Sequence, residues 1–70
     1  MILTQSFKHK EVVLPYLHQQ VQLFSYFLGC KYFVDSRSKQ IQIFDKKPCK
    51  ERRQYIHQNL KLMIKMAIAE

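Results

Sequence analysis

The sequence predicts a small α+β domain in which a helix, a β-hairpin and a second helix follow one another along 70 residues. Apolar residues recur at helical spacing before Gly29 and again after Cys49, whereas residues 40–44 alternate between polar and apolar types. Hydrophobic types make up 47% of the chain, and a single Gly with two Pro leaves little of it for loops. We therefore expect residues 1–70 to form one domain.

The first helix is predicted over residues 15–28. Pro15 suits the first turn of a helix, where its missing N–H costs nothing. One apolar stripe on a 3.6-residue repeat comprises Leu17, Val21, Phe24 and Leu28, widened by Leu23 and Phe27. Gly29 follows directly, at the position where a left-handed residue ends many helices.

The hairpin is predicted over residues 31–44, whose two halves are rich in β-branched and aromatic types and flank a polar turn. Because side chains alternate along a strand, Ile41 and Ile43 should share one face of the sheet. Phe44 should lie on the other face, near Phe33.

The N-terminal residues 1–7 begin with apolar types and form either a short strand or an arm. A two-stranded sheet is only marginally stable by itself. Either these residues add a third strand, or the sheet is completed by dimerisation of two hairpins. In both cases the expected architecture has the helices on one face of the sheet.

The second helix is predicted over residues 48–68, with Pro48 near its start. Its apolar stripe comprises Cys49, Ile56, Leu60, Met63 and Ala67, and its polar face comprises Lys50, Gln54, His57, Lys61 and Lys65. Because Cys49 falls on the apolar stripe, we interpret it as a buried core thiol rather than a reactive one. After Asn59 the apolar side broadens, and such a wide apolar surface predicts a homodimer or a protein partner.

Positive charge is concentrated in the second half of the chain. Lys and Arg outnumber Asp and Glu by 12 to 5, and ten of the twelve basic residues lie within residues 31–65. The densest run, residues 46–53, coincides with the start of the second helix. Free backbone N–H groups and the positive end of the helix dipole already favour an anion there, so stability alone would place acidic residues at this point. The pattern therefore indicates an anion-binding surface, although a solvated basic face is nearly as well supported.

The leading hypothesis is a non-catalytic nucleic-acid-binding module that uses the basic second helix and the hairpin turn. Strand aromatics offer a surface on which unpaired bases stack, but they suit a core or a dimer contact better. The candidate phosphate-binding residues are Arg37, Lys39, Lys46, Lys47, Lys50, Arg53, His57, Lys61 and Lys65.

The alternative is a small protein-interaction or inhibitor module, for example one encoded by a phage or mobile element. Such a protein would dock on a larger, nucleic-acid-processing protein. Met-rich and aromatic surfaces adapt well to partners. The candidate partner or dimer residues are Phe33, Phe44, Leu62, Met66 and Ile68.

Catalysis, metal binding and cofactor binding find little support in the sequence. No Gly-rich phosphate loop occurs, and the His and Cys residues lack the spacing of zinc ligands. A ribonuclease using His57 and Tyr55 would need a pocket that so short a chain hardly offers. Residues 23–30, the most apolar early stretch, are far shorter than the ~20 residues of a membrane span. We expect a cytoplasmic protein that is not an enzyme, has no cofactor and binds no membrane.

Overall fold

A three-stranded antiparallel sheet with two helices on one of its faces makes up the fold. The computed structural model describes residues 1–46 and 49–68. In chain order, the elements are β1 (Ile2–Ser6), α1 (Leu14–Leu28), β2 (Lys31–Asp35), β3 (Gln40–Phe44) and α2 (Lys50–Met66). This arrangement confirms the predicted α+β class and the predicted hairpin.

The central strand of the sheet is β3, and β1 and β2 pair with it in antiparallel register on either side. The N-terminal segment therefore supplies the third strand, which was one of the two predicted ways to extend the sheet. Ile41 and Ile43 are fully buried beneath the helices. Phe33 and Phe44 point to the opposite face, as the period of two requires.

Local residue chemistry explains where most helix ends fall. Pro15 lies in the first turn of α1, and Gly29 ends that helix with a left-handed φ of 72°. The second helix begins at Lys50 rather than at Pro48, which lies outside the described residues, and it ends at Met66 instead of residue 68. The reason for the earlier end is that Ile68 leaves the helix to form an isolated bridge with Val12.

The core lies between the sheet and the two helices. Its fully buried members are Leu17, Val21, Ile41, Ile43, Ile56 and Leu60. The helices also contact each other directly, with ring centroids of Phe24 and Tyr55 6.1 Å apart. At the other end of α2, the carbonyl oxygen of Ala67 accepts a 2.8 Å hydrogen bond from the N–H of Val13. These contacts fix α2 beside α1, and α2 also packs against β1, where the candidate site lies.

Two predictions about apolar positions differ from the structure. The interpretation of Cys49 as a core residue is wrong, because its side chain is exposed. Cys49 has an extended backbone and precedes the helix, so the helical phase that placed it on the apolar stripe does not apply to it. On α1, Leu23 and Phe27 do not widen the buried stripe but face outward, with Phe27 78% exposed.

Candidate nucleic-acid interface

The helix α2 runs along the free edge of β1, and polar contacts join the two elements. Nδ1 of His57 and Oε1 of Gln5 are hydrogen-bonded at 3.3 Å. Nearer the start of the helix, the guanidinium of Arg53 lies 3.0 Å from the sulfur of Met1. His57 is half-buried by this packing rather than fully solvated. The side chains of the helix that come next along β1 are those of Lys61 and Lys65.

A groove of about 650 Å³ opens at this edge of the molecule, and we call it the β1–α2 groove. It is lined by Gln5, Ser6, Lys10, Gln58, Lys61, Leu62 and Lys65. Three of these seven side chains are lysines, and none of the described residues that line the groove is acidic. The groove therefore combines concentrated positive charge with amide and hydroxyl groups.

Lys10 connects the β1–α2 groove to the hairpin turn. It also lines a neighbouring cavity of about 240 Å³, which it shares with Glu11 and Lys39. The N–H of Phe7 donates a 2.8 Å hydrogen bond to the carbonyl of Lys39, which fixes the turn beside the loop that carries Lys10. Lys10 was not predicted as a site residue, because only the tertiary pairing of β1 with β3 brings its loop to this place.

The hairpin turn is organised by Asp35. Its Oδ1 accepts hydrogen bonds from the N–H groups of Arg37, at 2.9 Å, and Ser38, at 3.3 Å. The Ser38 side chain contributes most, followed by these two backbone bonds, to holding the pKa of Asp35 below its ordinary value. The side chains of Arg37 and Lys39 are exposed. The backbone of Lys39 has a φ of 54°, a conformation that a side chain with a Cβ disfavours.

The start of α2 differs from the anion site that the sequence suggested. Lys46 and Lys50 are exposed there, whereas Lys47 lies outside the described residues. Two pockets that Lys46 lines, of about 340 and 220 Å³, are also lined by the buried residue Asp45. The β1–α2 groove has three lysines and no acidic residue among the described side chains that line it, so it is the stronger candidate for binding a polyanion.

Asp45 is held by Arg52, a residue outside the predicted site. The Nε atom of Arg52 lies 2.8 Å from Oδ2 and 3.0 Å from Oδ1 of Asp45. These hydrogen bonds, followed by one to the sulfur of Cys30, raise the pKa of Arg52. This is the only ion pair among residues 1–46 and 49–68. The described cations predicted to bind phosphate therefore have no ion-pairing carboxylate among those residues.

The predicted partner residues do not share one surface. Phe33 and Phe44 lie on the outer face of the sheet, whereas Leu62 and Met66 are exposed on α2, in the other layer. Ile68 is half-buried beside Val12 through the isolated bridge. The predicted partner or dimer residues therefore lie on two separate apolar surfaces.

Within residues 1–46 and 49–68, no three His, Cys, Asp or Glu side chains are grouped so that they could hold a metal ion. Over these residues, neither helix combines the length and the apolar character needed to cross a bilayer. No protein-family model matches the chain, and no curated protein or solved structure shows significant similarity to it.

Proposed function

We propose that the protein is a non-catalytic nucleic-acid-binding module that holds a phosphate backbone in the β1–α2 groove. The observation that carries this proposal is the convergence of Lys10 with Lys61 and Lys65, from two separate elements, on one groove. Lysines that neutralise phosphates release condensed counterions, which drives binding of a polyanion.

The arrangement of these lysines supports a ligand rather than a gain in stability. Lys61 and Lys65 are four residues apart on one helix face, where like charges repel and cost a few tenths of a kcal/mol. Lys10 adds a third positive charge from the facing loop. Between the lysines, Gln5, Ser6 and Gln58 can donate or accept hydrogen bonds to phosphate, sugar or base.

The path of a bound strand extends beyond the groove. Lys10 lines both the β1–α2 groove and the cavity beside Lys39, so a backbone lying in the groove continues toward the hairpin turn. Arg37 is exposed on the same turn. This path includes the hairpin turn, which the sequence analysis also named. Along α2, however, it follows the C-terminal half of the helix rather than its N-terminal start.

Charge reversal tests the proposal. Fluorescence anisotropy with labelled DNA and RNA oligonucleotides, titrated at several salt concentrations, gives the affinity and its salt slope. We expect Lys10→Glu combined with Lys61→Glu to abolish binding at salt concentrations where the wild type binds, because neutralised phosphates supply most of the affinity. The matched control, Lys8→Glu with Lys50→Glu, changes the net charge equally outside the groove and should retain most of the affinity.

Two results would count against the groove. If the wild-type protein shows no salt-sensitive binding even at low salt, the protein does not bind nucleic acid. If both double variants lose affinity equally, net charge alone accounts for the binding and the groove has no special role.

A second candidate function, contact with another protein, is favoured by the outer surface of the helices. On each helix, three of the exposed apolar side chains are spaced seven and then four residues apart. They are Tyr16, Leu23 and Phe27 on α1 and Tyr55, Leu62 and Met66 on α2. Such spacing forms one stripe on each helix. Residues 14–28 contain no Lys, Arg, Asp or Glu, so two copies of this basic protein can meet there without opposing lysines. We propose this surface as the homodimer interface, with an inhibitor-like contact to a different protein as the alternative occupant.

Sedimentation analysis measures the oligomeric state and so tests the proposed homodimer. Leu23→Lys combined with Met66→Lys should convert a dimer into a monomer without unfolding it. A wild-type protein that is already a monomer at high concentration would contradict the dimer. We also propose a reducing, cytoplasmic location, because secreted domains of this size usually carry several disulfides and this sequence has two Cys residues.

A further inference from the structure

The outer face of the sheet is exposed, because both helices lie on the other side. Three rows of side chains cross this face in the register of the strands: Ile2, Phe44 and Lys31; Thr4, Gln42 and Phe33; Ser6, Gln40 and Asp35. Phe33 is 53% exposed and Phe44 is 37% exposed. Exposed apolar side chains that lie together on one surface are typical of interaction sites.

The two rings are close neighbours. Phe33 lies on β2 and Phe44 on β3, one row apart, so they occupy diagonal positions of adjacent strands. Side chains in such positions are about 7–8 Å apart and within reach of a common ligand. Lys31 adjoins both rings, since it lies directly opposite Phe44 and two residues before Phe33 on the same strand.

Apart from Ile2, which lies opposite Phe44 on the edge strand, the rest of the face is polar and almost without negative charge. Gln42 lies opposite Phe33, with Thr4 beyond it on β1. Amide and hydroxyl groups both donate and accept hydrogen bonds, as the edges of unpaired bases require. The one acidic residue among the nine in these rows is Asp35, whose carboxylate is engaged with the backbone of the hairpin turn.

We propose that this outer sheet face binds single-stranded nucleic acid, with Phe33 and Phe44 each stacking on an unpaired base and Lys31 contacting the adjoining phosphate. Stacking of bases on aromatic side chains is the common way in which sheet surfaces hold single strands. The proposal rests on the proposed function and adds that the preferred ligand is a single strand rather than a duplex. Paired and stacked bases of a duplex do not present their faces to a protein ring.

The sheet face and the β1–α2 groove are continuous. Ser6 belongs to the outermost row of the sheet face and also lines the groove. The hairpin turn adjoins the same row at Gln40 and Asp35, so a strand whose phosphates run from the groove to the turn can place its next bases over the sheet. The two surfaces form one binding path with an electrostatic part and a stacking part.

A second copy of the chain fits this face less well than a nucleic acid does. Pairing two such faces would bury Lys31 and the amides of Gln40 and Gln42 against one another, at a considerable cost in hydration. The outer helical surface offers a second copy a more apolar contact. The chemistry of aromatic rings, amides and one lysine suits bases and phosphate.

Anisotropy titrations with a single-stranded oligonucleotide of about 15 nucleotides and with a duplex of the same sequence test the proposal. Phe33→Leu and Phe44→Leu retain apolar bulk but remove the aromatic face. We expect each to weaken single-strand binding about 5- to 100-fold, with the salt slope unchanged, because stacking releases no counterions. The matched control is Tyr26→Leu, at an aromatic residue of α1 that is 88% exposed and lies outside both proposed surfaces, which should leave binding unaltered.

A spectroscopic signal provides an independent measurement. The chain contains no Trp, so Phe33→Trp introduces a single indole on the sheet face. Its fluorescence should be quenched by the single strand and remain nearly constant with the duplex. Circular dichroism of every variant verifies the fold.

The outcomes separate this proposal from the proposed function. Salt-sensitive binding that is equal for single strand and duplex, and unchanged in Phe33→Leu and Phe44→Leu, would overturn the sheet-face proposal and leave the groove intact. Loss of a wild-type dimer in these variants would show instead that the face joins two copies. Absence of all binding at low salt would overturn both proposals.

Discussion

Arg52 holds the buried carboxylate of Asp45 across the junction between β3 and α2, with Nε 2.8 Å from Oδ2. The same guanidinium donates from Nη2 to the carbonyl of Leu28, at 3.3 Å, and lies 3.4 Å from the sulfur of Cys30. One side chain therefore joins the end of α1, the approach to β2, the end of β3 and the first turn of α2. In a chain this small, such a contact replaces part of the core that a larger domain would have.

The first prediction concerns the stability that Arg52 confers. Arg52→Met should lower the free energy of unfolding by about 3 kcal/mol, because it removes the hydrogen-bonded ion pair that Arg52 forms with the buried Asp45 carboxylate. Arg53→Met provides the control at the neighbouring, exposed arginine and should change stability by no more than about 0.5 kcal/mol. Urea denaturation followed by circular dichroism measures both. Equal effects of the two substitutions would show that the Asp45 contact is not stabilising.

The Asp45–Arg52 pair also illustrates what the sequence could not predict. Periodicity and end signals predicted both helices and the hairpin, because Gly29, Pro15 and the alternating residues of β3 act locally. A buried ion pair has no periodic signature, and Asp45 resembled an ordinary turn residue. Its role depends on three chain segments meeting, which only the folded structure shows.

The candidate site was predicted in part for the same reason. Lys61 and Lys65 were visible as a basic helix face, since their spacing is set within one element. Lys10 and Gln5 join them only because β1 pairs with β3 and thereby lies beside α2. The exposure of Phe33 was likewise undetermined, because the sequence showed which residues share a face but not whether a partner covers that face.

The second prediction concerns the pH dependence that Asp35 introduces. Because folding lowers the pKa of Asp35, the turn contacts stabilise the protein above about pH 4, and this contribution disappears as the pH falls through the lowered value. Asp35→Asn should therefore be less stable than the wild type near neutral pH, with the difference shrinking in strong acid. Urea denaturation at a series of pH values measures this convergence.

Ser38→Ala tests the cause of the lowered pKa. The Ser38 side chain makes the largest contribution, so its removal should raise the pKa of Asp35 toward its ordinary value. An NMR titration of the Asp35 carboxyl carbon reports this directly. A pKa that does not move in Ser38→Ala would show that the hydroxyl plays no part.

The third prediction concerns Cys49, which caps α2 instead of lying in the core. Its sulfur accepts a hydrogen bond from the N–H of Arg52 at 3.3 Å. Oxygen is the better acceptor at this position, so Cys49→Ser should raise the free energy of unfolding by about 0.5–1 kcal/mol, whereas Cys49→Ala should lower it. The exposed thiol should also react with a thiol reagent in the folded protein, faster than half-buried Cys30. Labelling of Cys49 only after unfolding would contradict its exposure.

The last prediction uses Lys39, the one non-glycine residue with a positive φ among residues 1–46 and 49–68. A left-handed conformation costs an L-residue about 1–2 kcal/mol, and backbone strain of this kind is often retained where a side chain serves a function. We infer that the lysine is kept for its charge, beside Lys10 on the path from the groove to the hairpin turn. Replacing Lys39 with Gly should then raise the free energy of unfolding and weaken oligonucleotide binding.

Lys39→Gly relieves the strain but enlarges the freedom of the unfolded chain, so we expect a net gain of about 0.5 kcal/mol in the free energy of unfolding. The same substitution should weaken oligonucleotide binding and reduce the magnitude of the salt slope by about 0.7–0.9, because one phosphate is no longer neutralised. Ser38→Gly is the control in the same turn; it has no positive φ to relieve and should lower stability without altering the salt slope. If Lys39→Gly were destabilising, the strain at Lys39 would be smaller than the entropy that glycine adds to the unfolded chain, and if it left binding unchanged, the bound strand would not reach the turn.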